Sequence, residues 1–257
     1  MKLFNVSLFT LLSFNLVFSQ SQSYSVKYRQ ILNLTPNVSA DSTGEEVTLL
    51  HKGNTSFYVR NRIESDTIKD DRIVTIKDDA NPLDRRRIRK DRTGIGVYKD
   101  FDSSKLIIRE LVGKSPYLIT ESFPKFDWHI EPDKKNIGGF DCQKATVTHK
   151  GRQYTAWFTT KIPSSDGPWK FYGLPGLILE IKDSERKVEF VFTSISFDKD
   201  INFIKPVVGV QMSSEEELKT LRRKLTEDIV RKAQSGAPKS SNVTITISQP
   251  ELIEKIN

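Results

Sequence analysis

The chain has 257 residues, a formal net charge of +7, 10% aromatic residues and one cysteine. A single cysteine excludes an intramolecular disulfide, so stability rests on the core, and a chain of this length is able to bury one. The basic excess is modest, and nucleic acid is not an expected partner.

Met1 to Ser19 reads as a secretory signal peptide. Lys2 supplies the positive start, Leu3 to Phe18 is mostly apolar, and Val17-Phe18-Ser19 offers a cleavage site before Gln20. The apolar run is too short, and too interrupted by Asn5, Ser7, Thr10, Ser13 and Asn15, to span a bilayer. The expectation is an exported chain that is not an integral membrane protein, with residues 20–257 forming one β-rich domain.

Short strand-like runs separated by turn signals follow from residue 24 to 197. Ser25 to Leu32 comes first. Val47 to Leu50 and Phe57 to Arg60 flank a hairpin connection, His51-Lys52-Gly53-Asn54. Ile73 to Ile76, Gly96 to Lys99, Leu106 to Leu111 and Tyr117 to Thr120 continue the series. An aspartate-rich stretch, 66–79, precedes the basic run Arg85 to Arg92. That run fits an anionic partner or, more simply, a solvated hairpin flank, and it lacks the interleaved aromatics of a nucleic-acid stacking surface. The clearest pair is Cys142 to His149 with Tyr154 to Thr160. Tyr154, Ala156 and Phe158 alternate there with Thr155, Trp157 and Thr159, which predicts one buried face. Leu177 to Lys182 and Val188 to Phe192 form a later pair.

Between these pairs lies Ile162 to Ile178, rich in proline, glycine and aromatic residues. In Leu174-Pro175-Gly176-Leu177, proline at the second position and glycine at the third predict a type II turn. Trp169, Phe171 and Tyr172 either fill the mouth of the fold or present a recognition surface. With Gly173, Leu174, Pro175 and Gly176 they are the candidate partner- or ligand-binding residues.

Ser213 to Gln234 predicts an amphipathic helix packed on the sheet. Ser213-Ser214-Glu215-Glu216 reads as a capping box, Leu218, Leu221, Leu225, Ile229 and Val230 form an apolar stripe, and Gly236 a terminator. Its basic residues Lys219, Arg222, Arg223, Lys224, Arg231 and Lys232 raise a membrane-surface role as the alternative to core packing. Residues 242–247 read as a last strand.

Catalytic signatures are sparse. There is no phosphate-binding glycine loop, no GxSxG and no HExxH. His129, Cys142 and His149 would make a soft copper or zinc site if their strands converged. Ser165 with Asp166, or Cys142 with His149, are the hydrolase candidates, although Ser164-Ser165-Asp166-Gly167 reads equally as turn chemistry. Cys142 itself reads as a small buried hydrophobe. No cofactor is expected.

The segment from Trp128 to Asp183 resembles the GLPGLI family, whose hexapeptide stands here as Gly173-Leu174-Pro175-Gly176-Leu177-Ile178. The resemblance extends through Lys135 to Ala145, Gly151-Arg152, Ala156 to Thr159, Ile162-Pro163 and Asp166-Gly167-Pro168. It implies an exported protein of Gram-negative bacteria, in the periplasm or at the cell surface. It further implies an accessory role beside TonB-dependent outer-membrane receptors, and it supplies no catalytic residues. The combined expectation is a mainly β fold, an antiparallel curved sheet or half-barrel carrying one C-terminal helix. Its expected role is a non-enzymatic envelope protein binding a receptor or an apolar ligand, with metal binding or hydrolysis as alternatives.

Overall fold

The structure is a computed structural model that describes residues 23–34, 44–60, 95–112, 115–198, 200–203, 205–206 and 208–236. The expected signal peptide, the acidic and basic stretches at 66–92, the strand at 73–76 and the strand at 242–247 lie outside these residues.

Among the described residues twelve strands form one open sheet, followed by a single helix. The first six are β1 (Tyr24–Leu32), β2 (Glu45–Lys52), β3 (Thr55–Arg60), β4 (Ile95–Asp100), β5 (Lys105–Val112) and β6 (Ser115–Ser122). They are neighbours in chain order, an antiparallel meander. The second meander comprises β7 (His129–Ile137), β8 (Phe140–His149), β9 (Arg152–Thr159), β10 (Leu177–Asp183) and β11 (Val188–Ser196). The two halves join where β1 pairs with β11. The short β12 (Val210–Met212) adds to β6 in the sheet's parallel pairing.

This order dictates curvature. In the sheet ten inter-strand steps separate β6 from β7, about 48 Å if the sheet were flat at ~4.8 Å per step. Yet the chain passes from Ser122 to His129 in seven residues, which reach at most about 25 Å. The sheet therefore curls, and residues 123–128 bridge its mouth.

The concave face holds the main core, in which Tyr24, Tyr28, Tyr58, Tyr154, Phe158 and Phe190 are 2% exposed or less. Their alternation with half-buried outward residues follows the strand period of two, as expected for Tyr154, Ala156 and Phe158. A smaller cluster on the outer face joins Leu50, Phe57, Val59 and Tyr98 to Ile201. Because it covers the outside of β2 to β4, those strands are apolar on both faces, and neither face of β3 or β4 shows a solvent-facing alternation.

The helix α1 (Glu215–Gly236) begins two residues later than the sequence pattern suggests and runs through Gly236 rather than stopping before it. Its capping box is displaced by one residue. Ser214 Oγ accepts from the Glu217 amide at 3.2 Å, and Glu217 reaches back to the Ser213 amide and hydroxyl, each at 2.7 Å. The stripe packs at Leu218, 3% exposed, and partly at Leu221. Further along, Leu225 and Ile229 are open to solvent at 40% and 57%.

Candidate functional site

The long β9–β10 connection, residues 160–176, crosses the concave face, and its geometry is set by a buried carboxylate. Asp166 is fully buried. Its Oδ1 accepts from Lys99 Nζ of β4 at 2.5 Å and from the Gly167 amide at 2.8 Å, while His51 Nδ1 of β2 lies 3.0 Å from Oδ2. Lys99, also 0% exposed, donates as well to the carbonyls of Gly167 at 2.5 Å and Phe171 at 3.2 Å. One ammonium thus satisfies a carboxylate and two carbonyls that a buried loop would otherwise leave unpaired. Burial alone would push the Asp166 carboxyl up. Lys99 and His51 outweigh it and hold the group well below the usual carboxylate range. Burial likewise pulls the Lys99 ammonium below its ordinary value, and Asp166 opposes that pull.

The loop is pinned at further points. Asp166 O accepts from the Ile178 amide at 3.0 Å, and Ile162 O from the Leu177 amide at 3.1 Å. The second bond displaces the expected type II turn. With the Leu177 amide engaged across the loop, the local bond runs from the Gly176 amide to Leu174 O at 2.8 Å, closing a three-residue turn around Pro175. Gly176 is required here for space: a Cβ would overlap the Thr159 carbonyl. Lys170, 1% exposed, leaves the loop on the other side and bonds Glu121 of β6 at 3.2 Å and Glu215 of α1 at 2.5 Å.

The three loop aromatics go three ways. Phe171 is completely buried, edge-on to Tyr154 and Phe190. Trp169 is half-buried beside the Lys170 ammonium, on the side facing α1. Tyr172 points to the mouth, where its hydroxyl donates to Pro124 O at 2.6 Å and Trp128 Nε1 donates to its carbonyl at 2.9 Å. Of the remaining candidates, Leu174 and Gly176 are buried, and Gly173 and Pro175 are exposed.

Around Tyr172 the mouth carries a continuous line of rings. Phe197 meets Tyr24, which stacks on His51 at 4.6 Å with only 5° between planes. His51 meets Phe101, and Phe101 meets Phe123 and Tyr172. Tyr172 in turn contacts Phe126, which stacks on Trp128. Phe197 is 50% exposed, the most open ring of the line. The Tyr24 hydroxyl donates to Ser164 Oγ at 2.6 Å. Sequence reasoning passed over Tyr24, Phe101, Phe123, Phe126 and Phe197, which lie in four separate segments. It also missed Lys99, although Val97, two residues before it, shares its face and packs in the main core.

The metal and hydrolase candidates do not assemble. Cys142 and His149 lie seven residues apart on β8, about 23 Å at ~3.3 Å per residue. His129 pairs with Thr146, four residues or about 13 Å from Cys142. Among the described residues no group of three His, Cys, Asp or Glu side chains is placed to hold a metal. Cys142 is 1% exposed, its thiol donates to Phe140 O at 3.4 Å, and burial pushes the thiol up to about 11, so a thiolate nucleophile is disfavoured. Asp166 has both oxygens engaged by Lys99, His51 and the Gly167 amide, while Ser165 is exposed.

The fold and the loop define a curved antiparallel sheet plugged by its own β9–β10 connection. A family model described as a protein of unknown function (Porph_ging) matches residues 147–180, the stretch from β8 through the loop into β10. The match is consistent with a GLPGLI-type family. No curated protein matches. Two solved structures of PNGF-II, in P21 and C2 space groups, are similar in fold with TM-scores of 0.53 and 0.52. Identity is 11% and 10%, over 79% and 78% of this chain. The chain spans about a third of the length of those proteins, 34% and 33%. At that identity the likeness concerns the fold alone.

Proposed function

We propose that the protein is a non-enzymatic, exported binding protein of the cell envelope that engages a protein partner through the aromatic mouth of its sheet. The partner class is an outer-membrane receptor, as the GLPGLI resemblance implies. One observation carries the choice between a protein partner and an internal apolar ligand. The concave face is filled, with Phe171 at 0% and Leu174 at 1% exposure seated among the core tyrosines and phenylalanines. A carrier of apolar ligands needs an interior to hold them. What remains for recognition is the outer rim, where rings from several strands and connections gather around Tyr172 of the loop locked by Asp166 and Lys99. Rigid aromatic surfaces lose little entropy on binding and are typical anchors of protein interfaces.

The test is affinity capture by residues 20–257 from a detergent-solubilised envelope of the native organism, with the captured protein identified by mass spectrometry. Phe197→Ser, at the exposed end of the rim, should abolish capture of an outer-membrane receptor. Trp169→Ala, on the side facing α1, should leave it intact. Equal capture by wild type and Phe197→Ser, or no receptor captured by wild type, would overturn the reading.

A further inference from the structure

The helix is amphipathic throughout, yet its body-facing contacts are concentrated at its start. Leu218, Leu221, Leu225 and Ile229 fall on one stripe at ~100° per residue. The first two residues of that stripe join the core, whereas Leu225 and Ile229 are 40% and 57% exposed. The helix start is tied down by Lys170–Glu215 and by Arg222, which donates to Glu110 of β5 at 3.1 Å. Beyond Arg222 the ion pairs among the described residues are internal to the helix, Arg223 with Glu227 and Arg231 with Asp228. Lys224 and Lys232 have no ion-pair partner among the described residues.

Charge is distributed to match. The first turn is acidic (Glu215, Glu216, Glu217), but after Leu218 six basic residues face two acidic ones, Glu227 and Asp228. Val210 of β12, 40% exposed, shares a row with Tyr117 and Glu110, on the sheet face that receives Arg222. The exposed Leu225 and Ile229 therefore lie on a predominantly cationic stretch of helix.

We propose that the C-terminal half of α1 is a docking element for an anionic lipid surface, with Leu225 and Ile229 entering the headgroup boundary and Lys224 and Lys232 reaching the headgroups. Two aliphatic side chains bury too little area to anchor the protein alone, so the attraction must come largely from charge. A bilayer supplies many anionic headgroups without demanding a complementary groove, and long basic side chains can lay their stems on the apolar boundary while keeping their charge in water. Binding of this kind is reversible, and screening at high ionic strength weakens it.

The experiment is co-sedimentation of residues 20–257 with vesicles of phosphatidylcholine alone and of phosphatidylcholine mixed with phosphatidylglycerol. Binding is expected with the anionic vesicles and not the neutral ones, and high salt should reverse it. Lys224→Gln and Lys232→Gln should each weaken partitioning about fivefold, equivalent to ~1 kcal/mol per cation near the surface. Leu225→Ser/Ile229→Ser should weaken it further with an unchanged circular dichroism spectrum, since both sites are exposed. Absence of binding to anionic vesicles, or equal binding to neutral ones, overturns the proposal. So does a wild-type dimer that Leu225→Ser/Ile229→Ser turns into a monomer, because the stripe would then belong to a second copy of the chain.

Discussion

Replacing Lys99 by methionine tests the buried clasp most directly. The substitution keeps an unbranched apolar stem of similar length and deletes an ammonium with three contacts at 2.5, 2.5 and 3.2 Å. Asp166 is left fully buried with His51 and the Gly167 amide as its remaining partners, and two loop carbonyls lose a donor. Unpairing a buried charge costs roughly 3–5 kcal/mol, a large part of the stability of an ordinary domain. The same substitution at Lys27 provides the control. Its pair with Glu46 at 2.9 Å is exposed on both sides, 48% and 59%, and an exposed pair contributes under about 1 kcal/mol. Guanidinium unfolding followed by tryptophan fluorescence reads both variants, because Trp169 lies on the loop and Trp128 bonds to it at Tyr172. Adding Asp166→Asn to Lys99→Met should recover part of the loss by removing the unpaired carboxylate. A Lys99→Met variant within about 1 kcal/mol of wild type, or one no less stable than Lys27→Met, would refute the argument that this ion pair holds the loop.

Further outcomes follow from the same geometry. Asp166 is depressed in the folded state, so its contribution is fully present above the unfolded carboxylate value of about 4 and is lost as pH falls toward the folded value. Unfolding midpoints between pH 7 and pH 3 should therefore fall more steeply for wild type than for Asp166→Asn, and parallel curves would contradict the assignment. Gly176→Ala should cost roughly 1–3 kcal/mol in the same unfolding assay, because the added methyl meets the Thr159 carbonyl, and a neutral result would mean that the loop yields there. Cys142 should resist thiol reagents in the native protein and react on unfolding. With the thiol at about 11, its thiolate fraction at pH 8 is about 200-fold below that of a free thiol, and rapid native labelling would contradict its burial.

Much of the strand series was legible because alternation in Tyr154–Phe158 and turn residues such as Gly53-Asn54 and Lys150-Gly151 are local signals. The edge strand β7 and the short β12 were not foreseen. In β7 a run of charged residues, Glu131 to Lys135, surrounds a register shift, so no apolar period marks it. In the site, the importance of the 162–178 segment was visible from its prolines, glycines and aromatics, but the assignment of its side chains was not. Trp169, Phe171 and Tyr172 fall within four residues and are similar in chemistry, and which one is buried depends on what the far half of the sheet presents to the loop.

By itself the sequence determined a mainly β chain with one amphipathic helix, the placement of most hairpins, and a loop under strong conformational constraint. These depend on interactions within a few residues, where side-chain period and backbone preference are decisive. The tertiary structure decided that β1 joins β11, that Lys99 and His51 meet Asp166, and that the rings from Phe197 to Trp128 form one rim. Each of these unites groups far apart in the chain, and no local preference encodes such a meeting. The carboxylate of Asp166 looked like turn chemistry because its partners arrive from two other strands. Only the curling of the sheet, forced by the short passage from β6 to β7, brings them within bonding distance.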